Sequence, residues 1–97
     1  MALYVTLSNF TDQGIKLIKD SPQRAEAFKQ RAATHGVKVH TVLWTLGQYD
    51  VVTIVEADDD IAATALALSQ AALGNLRGQT LKAYDAGDMA KIVAKMA

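Results

Sequence analysis

The chain has 97 residues, 51% of them hydrophobic and 21% charged, which indicates one globular domain over residues 1–97 rather than a disordered segment. Its 10 acidic and 10 basic residues cancel, and a neutral chain lacks the basic surface of a nucleic-acid-binding protein. It contains no cysteine and no apolar run long enough to cross a membrane, which excludes disulfides and predicts a cytoplasmic protein without a membrane partner.

The first predicted element is a strand over residues 2–8, which alternate in character and are rich in β-forming side chains. Alternation places an aliphatic set on one side of this strand and a polar and aromatic set on the other. The first set is Leu3, Val5 and Leu7, and the second is Tyr4, Thr6 and Ser8.

Two capping patterns predict the helices that follow this strand. Thr11 or Asp12 can cap a short helical turn. Ser21 as N-cap, with Pro22 at the first helical position, then begins a longer helix that ends at Gly36.

The middle of the chain predicts a hairpin, with strands over residues 37–46 and 49–57. The dipeptide Gly47-Gln48 between them is typical of a two-residue type II′ turn, because the first central position of that turn needs a positive φ.

The run Asp58-Asp59-Asp60 predicts the start of a helix over residues 59–73, because carboxylates cap free N–H groups and complement the helix dipole. We prefer this interpretation to a metal cluster. A last strand over residues 76–85 and a short amphipathic helix after Gly87 complete the chain.

The order β-α-β-β-α-β with a terminal helix predicts an α+β, ferredoxin-like fold with a four-stranded antiparallel sheet. Right-handed crossovers place the first and third strands in its centre and both long helices on one face. The other face would be bare, and we expect a second subunit to cover it and enclose a cavity. The residues expected on the bare face are Tyr4 and Thr6, with contributions from Trp44, Thr53, Arg77 and Gln79.

Several motifs make the chain similar to the GYD domain family, which is named for a glycine-tyrosine-aspartate signature with one residue after the glycine. Here the signature reads Gly47-Gln48-Tyr49-Asp50, and Gln48 stands where charged residues are frequent. The other matching segments are Tyr4-Val5-Thr6-Leu7, Asp12-Gln13-Gly14-Ile15, Lys19-Asp20-Ser21-Pro22 with Arg24, Trp44-Thr45-Leu46, Val51-Val52, Gly74-Asn75 and Arg77 with Gln79-Thr80.

This resemblance implies a small bacterial or archaeal protein similar to the dimeric α/β-barrel group. Members of that larger group include muconolactone isomerases, cofactor-free monooxygenases, haem-degrading enzymes and ligand-binding halves of transcription regulators. The GYD family itself has no generally established activity, and a shared fold does not decide function.

Two side chains are candidates for a catalytic base. Asp50 can act as a general base or orient a ligand hydroxyl, and it can equally bind backbone N–H groups beside the hairpin. His40 has an ordinary pKa near neutrality and would serve as a base if it faced the cavity, although an outward position on an edge strand is the simpler interpretation.

Aromatic and polar side chains are the candidate ligand contacts. Tyr49 and Trp44 can line a pocket or anchor a subunit. Arg77, if buried, would need a carboxylate from Asp50 or from a ligand. The remaining candidates are Tyr4, Thr6 and Gln79 on the expected bare face, and Arg24 with the nearby helix starts as an anion site.

The sequence therefore leads to a homo-oligomer that binds a small organic or anionic ligand in a sheet-face pocket. A cofactor-independent enzyme with Asp50 or His40 as base, and an assembly protein without a ligand, are the alternatives. We expect no cofactor, and no metal site because the two histidines lack acidic neighbours at ligand spacing.

Overall fold

The computed structural model describes residues 1–96. The strands are β1 (Ala2–Phe10), β2 (Lys38–Trp44), β3 (Val51–Ala57) and β4 (Leu76–Ala83). The helices are α1 (Asp12–Lys16), α2 (Ser21–Thr34), α3 (Asp60–Ala71) and α4 (Ala86–Ala94), and a 3-10 turn (Ile18–Asp20) precedes α2. The predicted α+β, ferredoxin-like order with an extra C-terminal helix is confirmed.

The strands form one antiparallel sheet in the order β2-β3-β1-β4, so the strands predicted to be central are central. Val5 of β1 lies opposite Ile54 on β3 and opposite Leu81 on β4. The pairing of the edge strand β2 has a register shift between Val39 and Thr41.

The hydrophobic core lies on the side of the sheet where α2 and α3 pack. Tyr4 and Val55, which are cross-strand neighbours, are 4% and 5% exposed and belong to one cluster with side chains of the two helices. Those helical side chains are Ala32, Ala63 and Leu66. We call this side the covered face, and by register it also carries Thr6, Ser8, Thr53 and Thr80.

The other side of the sheet, which we call the open face, is aliphatic. Leu43 and Leu81 there are 51% and 45% exposed, since α2 and α3 both pack on the covered face. The register places seven Leu, Val and Ile residues on the open face, beside polar ones such as Glu56 and Gln79: Leu3, Val5, Leu7, Leu43, Val52, Ile54 and Leu81.

The prediction that Tyr4, Thr6, Trp44 and Thr53 lie on the bare face is therefore wrong. Alternation along β1 predicts that the aliphatic and polar sets oppose each other, but not which of them faces the helices. Along β1 the usual preference for aliphatic side chains against a protein's own helices is inverted, whereas β3 still turns Val51 and Val55 toward them. The inversion has two consequences, a polar lining beneath the helices and an apolar surface without cover.

The helix starts mostly follow the predicted capping. Thr11 caps α1 by accepting a hydrogen bond from the N–H of Gly14, and Asp59 caps α3 by accepting one from the N–H of Ala62. Ser21 is a correction, because the N-cap of α2 is Asp20 and Ser21 is the first helical residue. Its hydroxyl oxygen instead accepts a hydrogen bond from the indole of Trp44.

The β2–β3 connection is longer than predicted. Gly47 has the expected positive φ, at 140°. Strand pairing nevertheless stops at Trp44 and Val51, and the N–H of Thr45 donates to the carbonyl of Asp50 at 2.8 Å. The predicted two-residue turn is therefore wrong, because residues 46–49 all belong to the loop.

Helix α4 lies apart from the core. It begins in a capping box in which Asp85 and Asp88 each accept a hydrogen bond from the backbone N–H of the other. Its predicted apolar stripe is exposed, and α4 is not among the elements that pack closely on the sheet. The stripe consists of Met89, Ile92, Val93 and Met96.

Candidate functional site

A cavity of about 330 Å³ lies between the covered face and helices α2 and α3. Small-molecule sites in proteins span roughly 300 to 1,000 Å³, so this cavity suits a small ligand. Four serine and threonine side chains of the sheet line it, namely Thr6, Ser8, Thr53 and Thr80. Its apolar lining includes Phe28, Trp44, Leu66 and Leu76.

The hydroxyl lining is polar where a closed core would be aliphatic. Thr6 Oγ1 and Thr80 Oγ1 lie 3.0 Å apart, within hydrogen-bond distance. Each hydroxyl can donate one hydrogen bond and accept others, so this lining can satisfy the polar end of a bound molecule. Thr64, Leu68 and Thr80 are exposed, and the cavity therefore reaches solvent between α3 and β4.

Trp44 and Ser21 join the end of β2 to the start of α2. The indole Nε1–H of Trp44 donates to Ser21 Oγ at 2.9 Å, and both residues line the cavity. Ser21 has helical backbone angles and lies inside α2, so its hydroxyl is available for this contact instead of for capping. The hydrogen bond also fixes the position of the chain's single tryptophan beside the cavity.

Tyr4 brings a polar group to the junction of the sheet and α3. Its hydroxyl donates to Asp60 Oδ1, and Lys82 Nζ lies 3.6 Å from the same oxygen. The hydrogen bond to Asp60 raises the pKa of Tyr4 to about 12. The same bond, followed by the charge of Lys82, lowers the pKa of Asp60. At neutral pH the phenol is thus neutral and the carboxylate charged.

The six predicted ligand contacts fall on opposite sides of the sheet. Tyr4, Thr6 and Trp44 line the cavity on the covered face. On the open face, Gln79 Nε2 donates to the hydroxyl of Tyr49 at 2.9 Å, and Arg77 is exposed. A single pocket built from all six is therefore not formed, and exposed Arg77 needs no partner from Asp50.

The two predicted bases also lie apart. The carboxylate of Asp50 accepts a hydrogen bond from the backbone N–H of Phe10 at 3.0 Å. His40 lies on the edge strand β2, and its Nε2 is 3.1 Å from Oε1 of Glu56 on β3. Asp50 precedes Val51 and His40 contacts Glu56, and the five residue steps of β3 from Val51 to Glu56 span on the order of 17 Å at 3.4 Å per residue. They cannot share one active site, and a catalytic role for either stays a prediction.

The sequence of the chain matches a known protein family. The GYD domain matches residues 4–93, nearly the whole chain. The chain belongs to the GYD domain family. The resemblance noted from its motifs is thereby confirmed.

A curated relative of this GYD domain protein carries a name that refers to binding. It is the glutamine synthetase and cystathionine beta-lyase binding protein of Thermus thermophilus, 31% identical over 90 residues. The alignment covers 92% of this chain and 95% of the relative. No solved structure gives a significant match.

The GYD signature fastens the β2–β3 loop to two other strands. Asp50 binds the end of β1 twice, because its N–H donates to the carbonyl of Ser8 at 2.9 Å while its carboxylate accepts from Phe10. Tyr49 binds β4 through Gln79. These contacts hold the last loop residues against β1 and β4 as well as against Thr45 at the end of β2, and the connection is longer than a two-residue turn.

Within residues 1–96, no helix is both long and apolar enough to cross a membrane. In the same residues, no three His, Asp or Glu side chains converge as metal ligands would.

Sequence reasoning missed most of the cavity lining. Ser8 and Thr80 were not candidates, and Thr53 was assigned to the wrong face. A signal was present, since Thr6 and Ser8 alternate with three aliphatic residues along one strand. Arg24, singled out as part of an anion site, does line the cavity.

Proposed function

We propose that this protein is a homo-oligomeric binding protein that takes up a small organic molecule in the cavity beneath α2 and α3. The observation that carries this proposal is the hydroxyl-lined cavity itself. Interiors normally close around aliphatic side chains, and polar groups that face an unfilled volume are typical of a binding site.

The cavity proposal is tested by filling the volume from α3. Ala67 lines the cavity, whereas Ala65 on the same helix is exposed and does not. We expect small organic acids and amides that stabilise the wild type to raise its Tm with the logarithm of their concentration. Ala67→Leu should abolish that increase and Ala65→Leu should preserve it. An equal response in both variants would refute the proposal.

The homo-oligomer is supported by the open face. A sheet that turns Val5, Ile54 and Leu81 away from its own helices exposes an apolar surface that a soluble monomer rarely tolerates. A second copy of the chain offers the same aliphatic surface, and a two-fold pairing would bury both at once.

The mass in solution tests this second part. We expect at least twice the chain mass of 10.4 kDa by light scattering. Leu81→Lys should shift the protein toward the monomer, because it places a charge within the open face. Ile61→Lys is the matched control, since Ile61 is 80% exposed and lies on α3. A monomeric wild type would overturn the homo-oligomer.

A second candidate is the binding of enzymes, which the name of the Thermus relative favours. The β2–β3 loop presents Leu46 fully exposed at its tip. The adjoining end of β2 carries Leu43 on the open face and Trp44 on the covered face, both about half exposed. Exposed aromatic and aliphatic anchors are common centres of protein interfaces.

Purified glutamine synthetase and cystathionine beta-lyase from the organism of this chain are the partners to test. Calorimetric titration should detect binding to at least one of them, and Leu46→Ser should weaken it. Ile61→Lys is again the control for a general surface effect. No heat of binding with either enzyme would exclude this candidate.

A further inference from the structure

Arg24 brings an uncompensated positive charge to the cavity. It lies one turn into α2, half buried, and its Nη1 donates to the carbonyl of Leu17 at 3.0 Å. Its Nη2 is buried and has no hydrogen-bond partner within residues 1–96. The guanidinium is therefore anchored on one side and unsatisfied on the other.

A buried guanidinium nitrogen without an acceptor is rare, because desolvated N–H groups lose their hydrogen bonds to water without replacement. The surrounding residues do not supply the missing acceptor. Among the described residues that line the cavity, Arg24 is the only charged one, and no carboxylate faces it there. The cavity therefore carries a net positive charge of its own.

The neighbouring groups define what can pair with this charge. Ser21 Oγ already accepts from Trp44, so its own proton is free to donate. Apolar side chains make up much of the remaining lining, among them Phe28, Leu66 and Leu76. One cation with a hydroxyl donor matches a monoanion, whereas a phosphate dianion would call for more positive charge.

We propose that the cavity binds a small monocarboxylate whose acid group pairs with Arg24 and whose apolar body packs between α2, α3 and the sheet. This inference rests on the proposed ligand-binding function and adds the class of the ligand. Since Nη1 already donates to Leu17, the carboxylate would pair with the other edge of the guanidinium, where the parallel Nε–H and Nη2–H donors match its two oxygens. The volume of about 330 Å³ limits the body to a short chain or a single ring.

Matched probes separate the charge from the shape. Benzoate and benzamide, and hexanoate and hexanamide, differ chiefly in the acid group, and their binding can be followed by calorimetry and by Trp44 fluorescence. We expect each acid to bind at least about tenfold more tightly than its amide. Arg24→Gln should remove that preference, while Arg77→Gln, on the open face, should retain it.

Two outcomes refute different statements. If acids and amides bind the wild type equally and Arg24→Gln changes neither, the cavity function stands and the assignment of a monocarboxylate is wrong. If no probe binds at millimolar concentration, both fail. Arg24→Lys keeps the charge without the fork, so it should restore part of the preference even if Arg24→Gln folds poorly, and a lysine variant without any preference would also refute the assignment.

Discussion

Tyr4 shows at the residue scale how a polar group can be placed in a thin core. Its ring packs with Val55, Ala63 and Leu66, and its hydroxyl reaches Asp60 at the start of α3. The phenol thus contributes apolar contact to the core and a charge-assisted hydrogen bond at the core's edge. This pair gives the protein a pH dependence that can be assigned to one residue.

Stability should fall at alkaline pH because of Tyr4. The pKa of Tyr4 in the fold, about 12, is above its ordinary value of 10.0, so the unfolded chain loses this proton first as the pH rises. The contribution is complete below pH 10.0 and is lost toward pH 12. Denaturant unfolding should show this loss in the wild type and a smaller one in Tyr4→Phe. Tyr84→Phe, at a tyrosine that is 58% exposed, is the control and should behave as the wild type.

Asp50, a residue of the GYD signature, stabilises the end of β1 through its hydrogen bond with the N–H of Phe10. Removing its carboxylate in Asp50→Ala leaves the N–H of Phe10 without its partner, and we expect a loss of about 1–3 kcal/mol in the free energy of unfolding. Asp50→Asn keeps an acceptor and should cost less. Chemical denaturation of both variants measures the difference. Equal losses would show that the contact with Phe10 does not stabilise the fold.

At the scale of elements, α1 is bound to the loop between α3 and β4. Thr11 and Gln13 donate four hydrogen bonds to the loop residues Leu73, Gly74 and Asn75. The backbones come so close that a Cβ on Gly14 would lie 2.1 Å from the carbonyl oxygen of Asn75. The glycine is thus required by the contact between the two segments.

Gly14→Ala should therefore separate α1 from this loop. We expect a loss of roughly 1–3 kcal/mol or more in the free energy of unfolding, the cost of overpacking a close contact. Gly87→Ala is the matched control, because its added methyl would meet only Asp85 Oδ1 at 3.4 Å. Thermal unfolding of both variants measures the effect, and similar Tm values would contradict it.

Local sequence signals predicted the helices and strands well, but they predicted the tertiary contacts of these elements less well. The caps at Thr11 and Asp59 depend on neighbours along the chain, and the order of the strands follows from the handedness of the crossovers. The β2–β3 loop and the role of Ser21 depend on partners far along the chain, Phe10 and Trp44. Contacts of that kind leave no periodic pattern, which is why both were predicted incorrectly.

In the whole molecule, the decisive feature is which face of the sheet α2 and α3 cover. One chain has a single covered face, and hydrophobic alternation indicates only that one face of each strand is buried. In this protein the polar set of β1 faces the helices and the aliphatic set faces outward. The sequence could predict that one face needs cover, but the alternation along β1 is compatible with either choice of face.

Because the cavity and the open face lie on opposite sides of one sheet, a pairing of two open faces would direct the two cavities outward, with both sheets between them. A ligand bound in one cavity would not change the structure of the other cavity, since neither the helices nor the hydroxyl lining would touch the neighbouring copy. Saturation should accordingly follow a simple hyperbola with a Hill coefficient near one, and each copy would respond to its ligand independently.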